Sequence, residues 1–243
     1  MNKAPVLKKE YSGHQHKAFE QLAELNGYNR FIAGLFLGYV KGRKVLEIGS
    51  GTGNILEQYL DCVKSVTAND LDKKSLAILK KRFASRKLKV CSGDLLRKKS
   101  VSPGKFDAVI MVNVLEHIYD DITAVKLMLG FLRPGGVLIL FVPAFNLLFS
   151  KMDRMFLHKR RYTKKVMRKL AEDAGAELKE LKYINLTGFF GWLLNHRILG
   201  KTAFNEGQMK LFDRYILKYE KQIHKIGLPF GQSLFAVLGK AKK

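Results

Sequence analysis

Three groups of residues in this sequence have types and spacing that could do chemistry. The first is Val45-Leu46-Glu47-Ile48-Gly49-Ser50-Gly51-Thr52-Gly53, an apolar run that passes into a glycine-rich turn. Glycines at alternate positions let a backbone turn sharply and approach a ligand closely, beside the N–H groups of a following helix. A dinucleotide fingerprint would place its third glycine at position 54, which is Asn54. The second group is acidic. Asp70 follows the apolar run 65–69, where a carboxylate can accept hydrogen bonds from both ribose hydroxyls of a nucleoside, and Asp94 ends the next run within Gly93-Asp94-Leu95. The third is His158-Lys159-Arg160-Arg161-Tyr162, where an imidazole that titrates near neutrality stands among cations. His158 there is either a proton acceptor for a substrate or a group that caps a loop or contacts a phosphate beside Arg160 and Arg161.

A scaffold must bring these groups together, and the hydropathy pattern indicates which. From residue 44 onward, short apolar runs at 44–48, 65–69, 88–91, 106–112 and 137–142 alternate with helical segments at 54–60, 73–83 and 122–132. Such alternation predicts a parallel sheet covered on both faces. Arg133-Pro134-Gly135-Gly136 reads as the turn into the fifth strand. Ahead of the core, 14–40 has helical spacing interrupted at Asn26-Gly27, which predicts two short helices forming a lid over 1–40. Beyond Pro143 the rhythm breaks: 144–158 has no clear period, a helix is expected at 164–174, a strand at 178–184, and an apolar stretch fills 186–199. An amphipathic helix is expected at 208–226, with Phe212, Tyr215, Ile216, Tyr219, Ile223 and Ile226 on one face and lysines and arginines mainly elsewhere. The final strand is expected at 233–238. The expected organisation is one domain, with a lid at 1–40, a cofactor core at 41–143, a substrate-side cap and sixth strand at 144–230, and a last strand and basic tail at 231–243.

With Asp70, Gly93-Asp94-Leu95, Asp107, Asn113-Val114-Leu115-Glu116-His117 and Arg133-Pro134-Gly135-Gly136 in this order, the chain resembles class I S-adenosylmethionine-dependent methyltransferases. Val142-Pro143-Ala144, the His158–Tyr162 segment, Gly191-Trp192-Leu193-Leu194-Asn195 and Pro229-Phe230-Gly231-Gln232-Ser233-Leu234 extend the likeness to a branch related to the ubiquinone-biosynthesis O-methyltransferases. The resemblance implies a Rossmann-like α/β fold with a seven-stranded, mostly parallel sheet and a helical, apolar cap inserted before the last strand. It implies S-adenosylmethionine as cofactor, held by Glu47, Gly49, Ser50, Gly51, Gly53, Asp70, Leu71, Asp94, Leu95, Asn113 and His117. By residue type alone, His117 reads as a packing or hydrogen-bonding group beneath the turn. Methyl transfer is an in-line displacement at the sulfonium, so the protein supplies alignment and, for a hydroxyl acceptor, a base. His158, Tyr162 and Arg161 are the expected catalytic residues. Tyr28, Arg30, Arg160, Trp192 and Asn195 are the expected substrate contacts. An Asn-Pro-Pro-Tyr motif is missing after the fourth strand, which disfavours methylation of base amino groups, and no cysteine stands there for cytosine C5 chemistry. Metal-dependent relatives carry a carboxylate where this chain has Asn113, so no metal is expected.

The chain has 243 residues with 44 Lys+Arg against 21 Asp+Glu, a formal net charge of +23. Such a charge draws a protein to polyanions, whether an anionic bilayer or nucleic acid. Phe189-Phe190-Gly191-Trp192-Leu193-Leu194 and the basic helix after it favour the membrane surface over RNA. An amphipathic or lipid-linked small molecule is the expected acceptor, with no obligate protein partner. Two isolated cysteines, Cys62 and Cys91, imply neither a disulfide framework nor a zinc site. With no secretory pattern at the N-terminus, the expected setting is cytoplasmic, with peripheral membrane association.

Overall fold

The computed structural model describes residues 21, 24–85, 87–95, 101–223 and 227–240. The first helix expected within 14–40 and the basic residues of the C-terminal tail fall largely outside them. Seven strands, β1 (Lys44–Ile48), β2 (Ser65–Asp70), β3 (Leu88–Ser92), β4 (Phe106–Val112), β5 (Leu132–Pro143), β6 (Ala176–Ile184) and β7 (Ser233–Lys240), make one sheet in the order β3-β2-β1-β4-β5-β7-β6. The first five pair in parallel, and β7 runs antiparallel to both of its neighbours. This is the expected α/β architecture.

Side-chain alternation divides each central strand between two cores. Val45, Ala108, Ile110, Val137, Ile139 and Phe141 face one side, where helix α1 (Asn26–Val40) lays down Phe31, Ile32, Ala33, Phe36 and Val40. Leu46, Val109, Met111, Leu138 and Leu140 face the other, against α3 (Asp121–Phe131) and α5 (Lys164–Asp173). Burial on both faces is why these strands are nearly continuous apolar runs. Each fully buried ring, such as Phe36 or Phe141, contributes roughly 1.5–3 kcal/mol by leaving water. Helix α2 (Lys73–Arg82) is started by Asp72, whose carboxylate accepts from the N–H groups of Lys74 and Ser75, and it ends on Lys80, Lys81 and Arg82.

Three local expectations change. Residues 54–60 form two 3₁₀ turns, Leu56–Gln58 and Leu60–Cys62, instead of a helix. Tyr59 leaves helical geometry (φ −134°) as its hydroxyl donates to buried Glu47 Oε2 at 2.8 Å. The Arg133–Gly136 turn is absorbed into β5, which begins at Leu132 opposite Phe106 and shifts register before Val137 pairs with Ala108. The amphipathic helix is broken into α7 (Glu206–Leu211), a π turn (Phe212–Ile216) and α8 (Leu217–Ile223). The π turn rotates the stripe: Leu217 and Glu220 become buried, whereas Tyr215 and Tyr219 face solvent.

The cap between β6 and β7 opens with α6 (Leu186–Trp192) and a second π turn, Leu193–Ile198. Its two ends meet: Gln232 N donates to Asn185 O (2.9 Å), and Asn185 Nδ2 donates to Gln232 Oε1 (2.8 Å). Acidic side chains pin it elsewhere. Helix α1 has no side-chain cap of its own, and Asp213 accepts from the N–H groups of Gly27 (3.0 Å) and Tyr28 (2.7 Å) at its start. Buried Glu220 accepts from those of Leu186 and Thr187 at the start of α6. Both carboxylates sit where the helix dipole favours negative charge.

Candidate active site

The carboxyl ends of β1, β2, β3 and β4 and the cap enclose one cavity of about 910 Å³. That is the upper part of the range for small-molecule sites, enough for a nucleoside-sized cofactor together with an acceptor.

At one end, the turn after β1 shows why it is written in glycine. Gly49 has φ +74°, and a Cβ there would lie 2.3 Å from Val114 Cγ2. Its N–H and that of Ser50 donate to Asn69 O, while Gly51 N donates to Asp70 Oδ2 at 2.8 Å. Asp70 Oδ1 accepts from Asp72 N (2.9 Å), so the carboxylate that closes β2 is aimed by backbone on both sides. Burial raises its pKa, with these backbone hydrogen bonds opposing. Burial also lifts Glu47 to about 8, with the Tyr59 hydrogen bond pulling down and the Asp70 charge pushing up. Glu47, Gly49, Ser50, Gly51, Asp70, Leu71, Asp94, Leu95, Asn113 and His117 all line the cavity. Gly53 does not: a Cβ there would meet Phe83 at 2.6 Å, so its lack of a side chain lets α2 pack against the turn.

At the other end stand His158, Arg161, Tyr28 and Trp192, all on the wall. His158 Nδ1 lies 2.9 Å from Asp153 Oδ1, its Nε2 is 3.9 Å from Glu116 Oε1, and the His117 ring meets it edge-on at 4.8 Å. Arg161 is buried, paired with Asp153 through Nε (2.8 Å) and Nη2 (3.0 Å), and lies 4.7 Å from the Trp192 ring. The Tyr28 hydroxyl accepts from Asn185 Nδ2, and burial lifts its pKa to about 12.

Four expected contacts lie elsewhere. Tyr162 is fully buried, joined to Ala144 by a parallel bridge, and its hydroxyl donates to Asp121 Oδ2 (3.0 Å) away from the cavity. Arg160 binds the same Asp121 oxygen (2.9 Å) and Tyr119 O, which makes it a loop clamp. Arg30 reaches Gln58 on the outer surface, and Asn195 is engaged by Gly191 O and Lys201 Nζ. In an extended segment alternate residues point opposite ways, so Arg161 faces inward while its neighbours 160 and 162 do not.

Sequence reasoning missed other residues. Lys74, Ser75 and Ile78 of α2, Phe156 from the segment after β5, Phe204, Met209 and Phe212 from the cap, and Asn185 with Gln232 also line the cavity. The asparagine stood between a strand and an apolar helix, which is an N-cap signal, and its side chain indeed accepts from Gly188 N (2.8 Å). The carboxylate Asp153, five residues before His158, had no periodicity to mark it. Where no metal was expected, Glu116, His117 and His158 each offer a ligand atom within 4.8 Å of the others. Neither oxygen of the fully buried Glu116 carboxylate has a hydrogen-bond partner. This is a donor set that a divalent cation can use. Burial raises the Glu116 pKa to about 7 and, with the charges of His158 and Lys159, lowers that of His117 to about 3.

A family model described as a methyltransferase domain matches residues 46–140, the stretch that carries the turn, Asp70, Asp94 and Asn113. An uncharacterized methyltransferase of Mycobacterium tuberculosis is 33% identical over 94 residues, 39% of this chain and 47% of that protein. A ubiquinone biosynthesis O-methyltransferase of Bordetella bronchiseptica is 30% identical over 101 residues, 41% of this chain and 42% of that protein. The match thus spans less than half the length of either relative. In fold, an S-adenosylmethionine dependent methyltransferase from Mesorhizobium loti superposes with a TM-score of 0.59 at 13% identity, covering 85% of this chain and 95% of that one. The two chains therefore share this fold.

Proposed function

We propose, from the methyltransferase domain that this chain carries, that it transfers the methyl group of S-adenosylmethionine to an oxygen of an amphipathic or lipid-linked small molecule. One observation carries this reading: a single cavity joins the Gly49–Asp70–Asp94 wall to a histidine and an apolar cap. Glu47, Ser50, Gly51, Asp70, Leu71, Asp94 and Leu95 would hold the cofactor, which supplies an activated methyl group. Gly53 serves that site by packing beneath it.

At the far wall, His158 Nε2 would take the proton of the acceptor hydroxyl and so leave its oxygen free to receive the methyl group that the bound cofactor would supply. Phe156, Trp192, Phe204, Met209 and Phe212 give the acceptor an apolar bed that excludes water. Tyr28, Asn185 and Gln232 supply neutral hydrogen-bonding groups beside it.

The outer surface of the cap supports delivery from an anionic bilayer. Phe190, Leu194, Ile198, Leu199, Leu211, Tyr215 and Tyr219 are exposed there, interspersed with exposed Arg197, Lys201, Lys210, Arg214 and Lys218. Apolar side chains flanked by cations suit an interface of lipid tails and anionic headgroups. No helix among the described residues is long and apolar enough to cross a membrane.

The deciding experiment offers labelled S-adenosylmethionine with fractionated lipid, small-metabolite and RNA extracts. Label in an organic-soluble, base-stable product supports the reading; label in RNA overturns it. Flotation with anionic but not neutral liposomes at low salt supports the docking surface, and failure to float with either removes it.

A further inference from the structure

We propose that Asp153 is a positioning residue for His158, fixing the imidazole in the tautomer with its proton on Nδ1 so that Nε2, which lies 3.9 Å from Glu116 Oε1, keeps its lone pair. The inference deepens the proposed function, and it rests on that reading only for its catalytic consequence.

Asp153 is fully buried on the short helix α4 (Lys151–Met155) and is held at both carboxylate oxygens. Oδ2 accepts from Ser150 N (2.9 Å), Ser150 Oγ (3.0 Å) and Arg161 Nη2 (3.0 Å). Oδ1 accepts from Arg161 Nε (2.8 Å) and faces His158 Nδ1 (2.9 Å). With this many donors the carboxylate cannot rotate without breaking several bonds, and the histidine inherits its fixed direction. Backbone geometry adds to the lock. Leu157 adopts φ +64°, a left-handed conformation that leucine rarely takes, and His158 N returns to Asp153 O at 2.9 Å. The ring is then held between Phe156, stacked at 5.9 Å, and the edge-on His117.

The tautomer follows from the acceptor-only chemistry of a carboxylate. Both Asp153 oxygens already accept from other donors, Ser150 N, Ser150 Oγ and Arg161 Nη2 on Oδ2 and Arg161 Nε on Oδ1, so the carboxylate serves as an acceptor and the short contact requires N–H on Nδ1. A neutral imidazole has one such proton, which leaves Nε2 as the acceptor. Arg161 neutralises the carboxylate and is itself braced by Ala144 O and the Trp192 ring.

A structural anchor for Arg161 would use the same bonds, so the test must read the imidazole. In the full chain labelled with ¹⁵N-histidine, long-range proton–nitrogen correlation near neutral pH reports the tautomer directly. His158→Gln identifies the signals. The expected pattern is a protonated Nδ1 and an unprotonated Nε2. In Asp153→Asn the amide can donate to Nδ1, and the tautomer is expected to reverse or become mixed. An Nε2–H tautomer in the unmodified protein overturns the proposal, as does an unchanged pattern in a folded Asp153→Asn. Should that variant not fold, the unmodified protein alone still decides. Once an acceptor is in hand, Asp153→Asn is expected to lower kcat by about 10²–10⁴-fold with cofactor affinity retained. Full turnover in His158→Gln alongside the expected tautomer would remove the base assignment while leaving Asp153's role intact.

Discussion

The two ends of the cavity are built by different means. At the end formed by β1 to β4, the groups that matter are backbone conformations and strand-end carboxylates, fixed within a few residues of chain. At the cap end they are side chains whose directions depend on contacts across the fold, such as Asp153 on Arg161 or Asp213 on the start of α1. A site for a common cofactor can be specified locally, while a site for a particular acceptor is specified by packing. The two ends should therefore fail separately, and mutations can show whether they do.

The largest effect is expected from His158→Gln, which should reduce methyl transfer about 10²–10⁴-fold while leaving S-adenosylhomocysteine affinity within about twofold. A parallel loss of cofactor binding, measured calorimetrically, would break the separation. In the opposite direction, Asp70→Ala should weaken S-adenosylhomocysteine by roughly 1.5–3 kcal/mol through loss of a charged hydrogen-bonding group. Unchanged calorimetric affinity would remove Asp70 from the cofactor site.

Glu47 offers a test through pH. Its pKa is about 8 in the folded protein against 4.5 for an ordinary glutamate, so the unfolded chain loses this proton first. The contribution of Glu47 to stability is then fully present below about pH 4.5 and is lost as pH rises toward about 8. Glu47→Gln should raise thermal stability near about pH 8.5 by roughly 1–3 kcal/mol and change it little at about pH 4, in thermal melts without cofactor. An equal gain at both pH values would contradict the buried, protonated state. The smallest effect belongs to the cap: Phe204→Ala should raise the acceptor KM by about three- to tenfold, or roughly 1 kcal/mol, with cofactor affinity unchanged. A normal acceptor KM would exclude Phe204 from the acceptor bed.

The same contrast explains what could be read in the sequence. Gly49 and Asp70 were legible because a positive φ and a strand-terminal carboxylate leave marks in residue type and spacing. Tyr162 and Arg160 looked like site residues because they flank Arg161, yet a bridge to Ala144 and a shared bond to Asp121 turn them away. The helix expected at 208–226 keeps its stripe only in part: Phe212 and Ile223 pack on the cores, while a π turn at Phe212–Ile216 brings Leu217 and Glu220 inward and leaves Tyr215 and Tyr219 exposed. The expected helix at 54–60 failed for a similar reason: the attraction of Tyr59 to Glu47 outweighs helical periodicity.

The meeting of Asn185 and Gln232 at the root of the cap has a consequence for how such a protein can change. Residues 186–231 depart from and return to one point on the sheet, where Ile184 already pairs with Ser233. Loop-closure entropy grows slowly with length once the ends are joined, so this excursion can be lengthened, shortened or exchanged at little cost to the strands beneath. Its requirements are a base that closes and carboxylates, here Asp213 and Glu220, that dock it on neighbouring helices. Because Leu217 and Leu228 of the cap also belong to the two cores, a segment grafted between Asn185 and Gln232 must keep those side chains as well as the two carboxylates if the strands beneath are to stay as they are.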